Sequence, residues 1–201
     1  MSKWRTEVGD DFFPALRLII PEKDKDRPMY GLKELSIARL IVKLLSLPKN
    51  SEDGYNLLSW KMPARGLPSK MAGDFPGRCY EVLSRRPVIQ EFGNMSIAEV
   101  NQLLDELSAA QKEDQQLPIF RTFYEGMNAQ ELMWLIRIIL RQMKIGSTEK
   151  TILNVGYVPT SVFPVLFFVF TDAVIYIDLA PRWRSPVQYF FKLEKSMLGI
   201  V

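Results

Sequence analysis

Histidine is absent from this 201-residue chain, and cysteine occurs once, as Cys79. Without histidine there can be no Ser-His-Asp triad, no Cys-His dyad and no histidine-ligated zinc. A single cysteine permits neither an internal disulfide nor a cysteine-rich zinc module, which suits a reducing compartment. Charge of one sign is scarce as well. The 26 Lys+Arg against 23 Asp+Glu leave a net +3, which permits a nucleic-acid partner without arguing for one. The opening run Met1-Ser2-Lys3-Trp4-Arg5-Thr6-Glu7 has no apolar h-region, so no signal peptide is expected. What the chain does have is an ordinary supply of core-forming residues: 47% are hydrophobic and 24% charged, enough for one domain or one domain with an appendage.

Those residues are unevenly spread. Residues 1–153 carry 42 charged residues and 13 aromatics, whereas residues 154–201 carry 7 charged residues and 10 aromatics. The apolar stretch 162–179 is interrupted by Asp172 and has Pro164 near its start. A transmembrane helix needs about 20 mainly apolar residues, and a central aspartate costs roughly 2.5–3.5 kcal/mol. The stretch is therefore a marginal span and reads equally as two β-prone apolar runs. A membrane partner is not expected.

Before position 154 the periodicity is helical. Over 33–47 the residues Leu35, Ile37, Ala38, Leu40, Ile41, Leu44, Leu45 and Leu47 mark a wide buried face, stopped by Pro48. Ser96-Ile97-Ala98-Glu99 is a capping box with Met95 and Val100 as its staple, and Asn128-Ala129-Gln130-Glu131 repeats it with Met127 and Leu132. The second of these predicts a helix over 129–143, its later half loaded with Arg137, Arg141 and Lys144, and ended by Gly146 as a left-handed cap. Further helices are expected over 10–20, 74–86 and 116–126. The body reads as an all-α bundle.

Chemistry is thinly signalled. Gly146-Ser147-Thr148-Glu149-Lys150-Thr151 lacks the glycines and the preceding strand of a phosphate loop. It does place amides, hydroxyls and the Lys144 and Lys150 ammonium groups at a helix start, where phosphate oxygens bind; residue types alone favour an ordinary helix connection. Arg78 and Arg85, two turns apart, read with Arg86 as a solvated basic face, with Cys79, Tyr80, Val82 and Leu83 toward the core. Lys23-Asp24-Lys25-Asp26-Arg27 reads as a solvated loop, and Trp60 and Trp134 as core aromatics. Asp105, Glu106, Glu113 and Asp114 form no persuasive carboxylate site.

The run Glu131-Leu132-Met133-Trp134-Leu135-Ile136-Arg137-Ile138-Ile139-Leu140-Arg141-Gln142-Met143-Lys144-Ile145-Gly146-Ser147-Thr148 resembles the signature that closes the N-terminal DNA-binding domain of ATP-dependent DNA ligases. Phe12-Phe13-Pro14-Ala15-Leu16-Arg17, Tyr30-Gly31-Leu32-Lys33-Glu34 and Ala72-Gly73-Asp74-Phe75 fit the same pattern in order and spacing. Within that family the chain is most similar to the fungal ligase IV branch, over residues 4–153. The resemblance implies an all-helical bundle gripping double-stranded DNA by its backbone from the minor-groove side, in nuclear double-strand break repair by non-homologous end joining. Carried over, Lys144, Gly146, Ser147 and Thr148 match one DNA-facing turn, and Gly73 and Asp74 the start of another DNA-side helix. This reverses the balance at the 144–148 turn.

The sequence departs from the family before Trp4, where one or two helices are expected. It also shows no nucleotidyltransferase domain with a Lys-x-Asp-Gly nucleophile, no oligonucleotide-binding domain and no BRCT repeats. Ser51-Glu52-Asp53-Gly54, the nearest lookalike, has serine in the lysine's place. No catalytic or metal-binding residue is expected in this chain, and it should be inactive alone. ATP and Mg, like the end-joining repair partners, are implied for the full-length family. Residues 154–201 are expected to be a divergent tail outside the family domain, from a reading frame carried past the true exon end. The alternative is a non-catalytic helical protein-interaction module, tethered to a membrane by its tail.

Overall fold

A computed structural model describes residues 11–66, 71, 73–86 and 93–143 of the chain. Among these residues there are seven α-helices and no strand. In chain order they are α1 (Phe13–Ile19), α2 (Glu34–Leu44), α3 (Glu52–Leu58), α4 (Phe75–Leu83), α5 (Ile97–Ala109), α6 (Glu113–Gly126) and α7 (Ala129–Ile139), with a 3₁₀ turn at Pro21–Lys23. The fold is all-α, as the periodicity predicts. Among the described residues no helix is long and apolar enough to cross a membrane. The expectations for residues 154–201 lie outside the described residues.

The helices pack in a continuous order: α7 on α4, α4 on α3, α3 on α2, α2 on α6, α6 on α5, and α5 on α1. At the head of that order, α7 is enclosed on all sides. Every residue over 131–139 is buried, including Glu131 and Arg137. A helix apolar nearly all round belongs inside a bundle, and each of its large apolar side chains contributes about 1.5–3 kcal/mol on burial. Trp134 lies in this core, and Trp60 meets Phe75 edge-on at 5.7 Å against its flank.

Both capping boxes form as their spacing requires. Ser96 Oγ accepts from the Glu99 amide at 3.2 Å, while Glu99 Oε2 accepts from the Ser96 amide at 2.7 Å. Asn128 Oδ1 accepts from the Glu131 amide at 2.9 Å and Glu131 returns the bond at 2.9 Å. The staple residues Met95, Val100, Met127 and Leu132 are all buried.

The helix ends differ from expectation. α2 closes at Leu44, where Ser46 turns left-handed (φ 51°) and Leu47 N donates to Val42 O at 2.9 Å. Leu35 lies outside the buried face because it shares an i, i+4 row with the exposed Arg39 and Lys43. α6 begins at Glu113, three residues before the expected start. Acidic Glu113 and Asp114 suit its first turn, and Pro118 is accommodated inside. α3 was not anticipated at all. Ser51 starts it by accepting from the Gly54 amide at 3.1 Å.

Two charged runs expected in solvent are buried in part: Asp24, Arg27 and Arg78 turn inward, while Lys23, Lys25, Asp26 and Arg85 are exposed as expected. Arg27, 3% exposed, donates to Asp105 Oδ1 (2.6 Å) and to Asn101 Oδ1 (2.9 Å). Asp24 accepts from Arg17 Nε at 2.9 Å, so the 23–27 loop is a polar clasp between α1 and α5. Ordinary carboxylate–guanidinium pairing makes this burial tolerable. Burial pushes the Asp105 carboxyl up, yet hydrogen bonds from Arg27 and Arg17 outweigh it and hold it below its usual range.

Arg78 is the second correction. It is fully buried, donating to Glu81 Oε2 (3.2 Å) and Met62 O (3.3 Å), so it presents no basic face. Arg85 and Arg86 lie beyond the end of α4, and both pair with Asp53, at 2.7 and 2.9 Å.

Candidate nucleic-acid interface

The start of α4 is built from four residues. Gly73 enters with φ 83°, a left-handed conformation that favours glycine, and a Cβ there would meet nothing within 4 Å. Asp74 is the N-cap, its Oδ2 accepting from the Gly77 amide at 3.2 Å. Pro76, in the first turn, contributes no N–H. Gly77 is required by proximity, since a Cβ would stand 2.7 Å from Asp74 Oδ2.

The same carboxylate receives Arg137 from α7. Arg137 Nη2 lies 2.7 Å from Asp74 Oδ2 and Nη1 lies 3.3 Å from Oδ1, a two-pronged pair. Arg137 is 7% exposed, stands 5.6 Å from the Trp134 ring centroid, and keeps a buried Nε with no hydrogen-bond partner. Asp74 therefore caps one helix while anchoring another, and its negative charge is offset by a buried cation.

Arg137 also shapes the way out of α7. Its carbonyl accepts from Gln142 N at 2.9 Å, and Ile138 O accepts from Arg141 N at 3.0 Å. This is a Schellman turn with Arg141 at the left-handed position, φ 53°. The expected cap at Gly146 is thereby corrected, because α7 ends at Ile139 and Arg141 does the capping. Arg141 Nη2 in turn donates to Arg27 O at 2.8 Å and to Asp24 O at 3.5 Å.

Of the expected site residues, Gly73 and Asp74 are thus joined to the last turn of α7. Lys144, Gly146, Ser147 and Thr148 lie outside the described residues, in the segment that begins directly after Met143. Arg137 and Arg141 were read from sequence only as charges complementing the helix dipole. Their i, i+4 spacing at a helix end was the available signal, but nothing local shows what they reach.

The Ser51-Glu52-Asp53-Gly54 run does not fit a nucleotide-accepting site. The Ser51 hydroxyl donates to Pro48 O at 2.6 Å and caps α3, and Asp53 is held by Arg85 and Arg86. A serine hydroxyl in that place cannot form the phosphoramidate bond that an adenylated lysine forms. Among the described residues, no group of three or more Cys, Asp or Glu side chains could hold a metal ion.

The DNA ligase N-terminus family model matches residues 1–155. The chain is 61% identical over 157 residues to DNA ligase 4 of Coccidioides immitis, and 59% identical over 157 residues to DNA ligase 4 of Aspergillus fumigatus. It is 56% identical over 158 residues to DNA ligase 4 of Neurospora crassa. Each of these matches covers 78% of this chain but only 15–16% of the relative's length.

Proposed function

This chain belongs to the DNA ligase N-terminus family, and we propose that its role there is to grip duplex DNA by the sugar–phosphate backbone from the minor-groove side. The observation that carries the reading is the Asp74–Arg137 pair, which locks the start of α4 to the end of α7. Those are the two places where the resemblance puts DNA-facing elements. By the resemblance, the 144–148 segment is assigned the phosphate contacts, with Lys144 as a charged partner and Ser147 and Thr148 as hydroxyl donors. Gly73 lets the chain approach without a side chain in the way. Asp74 takes part by position, since a carboxylate repels phosphate and this one is occupied with Gly77 and Arg137.

The name of the relatives, DNA ligase 4, supports a wider reading. In that reading the grip serves nick sealing during end joining in the nucleus, alongside other repair proteins. The ATP- and Mg-dependent chemistry belongs to family domains other than this one, and the residues described here do not fit it.

A salt titration of duplex binding tests the reading. Backbone binding gives a log affinity that falls linearly with log salt, with a slope of about −0.9 per phosphate contact and little dependence on sequence. An interaction module without a DNA role shows no such binding at about 50 mM salt.

A further inference from the structure

Asn56 of α3 is 1% exposed and directs its whole side-chain amide at one residue. Its Oδ1 accepts from Arg65 N at 2.8 Å, and its Nδ2 donates to Arg65 O at 3.0 Å. The backbone of Arg65 is thus clamped to α3 through both of its polar groups. Three residues earlier, Met62 O accepts from the buried Arg78 of α4 at 3.3 Å. Trp60 meets Phe75, the first residue of α4, edge-on at 5.7 Å. The connection 59–66 is therefore fastened at three points, two of them near the start of α4.

On that fixed loop stand two exposed cations, each laid on a ring. The Arg65 guanidinium lies 3.6 Å from the Tyr55 ring centroid, and Lys61 Nζ lies 5.2 Å from that of Trp60. Among the described residues neither side chain has an ion pair or a hydrogen bond. Glu52 has its carboxylate beside Gly66 and pairs with neither. Arg78, Arg85, Arg86 and Arg137, by contrast, each hold a carboxylate. A ring engages the flat face of a guanidinium and leaves its N–H edge open, and it leaves an ammonium its donors. The loop thus presents two held positive charges with no partner of their own.

We infer that Lys61 and Arg65 are phosphate contacts for duplex DNA, carried on the loop that packs against the start of α4. The inference rests on the proposed duplex-binding role and needs no particular arrangement of the 144–148 segment. A side chain already restrained by a ring loses less freedom on binding, and a guanidinium edge matches the oxygens of a phosphate. Neither group is placed to read a base code, so the contact is one to backbone alone.

Salt titrations of nicked-duplex affinity in the full chain test this, with Lys61→Gln, Arg65→Gln and the double variant beside wild type. Both side chains are exposed, and the bonds from Asn56 use only the main chain of Arg65. Melting temperatures should therefore stay within about 4 °C of wild type. Each single variant should lose about fivefold to tenfold in affinity at about 0.1 M salt, equally on two unrelated duplex sequences. The slope of log affinity against log salt should fall in magnitude by about one for each single variant and by about two for the double. Arg121→Gln is the control, removing one exposed charge from α6. It should stay within about twofold of wild type with its slope unchanged. Wild-type affinity and slope in the double variant overturn the inference, and leave the two cations to an acidic protein surface. An equal loss in Arg121→Gln also overturns it, because the effect is then one of net charge. So does a loss that merely follows a lower melting temperature. If wild type binds no duplex, the duplex-binding role itself fails, an outcome the wild-type titration alone reveals. If wild type binds and the variants match it, that role stands and only the assignment to Lys61 and Arg65 falls.

Discussion

Asp74 and Arg137, 63 residues apart in sequence, form a two-pronged ion pair at 2.7 and 3.3 Å. The pair is asymmetric in burial, with side-chain exposures of 22% for Asp74 and 9% for Arg137. The aspartate thus faces outward from a cation that cannot reach solvent on its own, and the start of α4 cannot shift without stranding that cation.

Removing one partner should therefore cost far more than removing both. Asp74→Ala loses a helix cap and leaves Arg137 unpaired, for about 2–4 kcal/mol of stability. Asp74→Asn keeps an oxygen for the Gly77 amide and should cost less. The double variant Asp74→Asn with Arg137→Met should return to within about 1 kcal/mol of wild type, since it buries no unpaired charge. Urea unfolding of the set measures this. Additive losses in the double variant would show that the two groups do not depend on each other.

Gly54 gives a prediction opposite to the usual rule. Glycine inside a helix is ordinarily improved by alanine, by roughly 0.5–1 kcal/mol. At Gly54 an added Cβ would collide with the Pro48 carbonyl oxygen and stand 3.2 Å from Lys49 Cα, both backbone atoms. Gly54→Ala should therefore destabilise, by about 1–3 kcal/mol. A thermal melt at or above wild type would contradict the packing described for the start of α3.

Glu131 sets a pH dependence. Burial raises its carboxyl above the ordinary value, against amide hydrogen bonds from Asn128 and Gly93 that favour the charged form. A carboxyl whose folded pKa exceeds its unfolded one binds its proton more tightly in the folded state. Stability then declines as pH rises from the unfolded value through the folded one, and is level above it. Glu131→Gln retains an oxygen for the Asn128 amide and removes that decline. Relative to wild type, the variant should gain stability as pH is raised upward from the ordinary glutamate value of about 4.3. Urea midpoints across pH 4–8 read the difference directly, and a variant that loses ground with rising pH would contradict the assignment. Asp105, held low by Arg27 and Arg17, acts at the other end, where stability is lost as pH falls through its folded value.

The fold class and both capping boxes were legible because they depend on contacts three or four residues apart. The same locality misled at the ends. Sequence placed a glycine cap at Gly146, yet Arg141 takes the left-handed position at the end of α7, and its guanidinium donates to carbonyls of residues 24 and 27 far upstream. Arg78 looked solvated because its charge suggests a surface, and is buried because Glu81 and Met62 O receive it. The family signature singles out Asp74 only as a candidate, and its tie to Arg137, across 63 residues, left no local mark. Helix starts carry their signals beside them, whereas the partners of buried cations come from elsewhere in the chain.

The most direct test of the DNA grip is a salt titration of nicked-duplex affinity for wild type and Lys144→Glu, with folding verified by circular dichroism. The substitution replaces the proposed phosphate partner with a repulsive charge and leaves the buried residues of α7 untouched. The account predicts a folded variant that binds more weakly on every duplex sequence, with a salt slope lower in magnitude by about one. A folded variant with wild-type affinity and slope would mean that the 144–148 segment does not contact DNA.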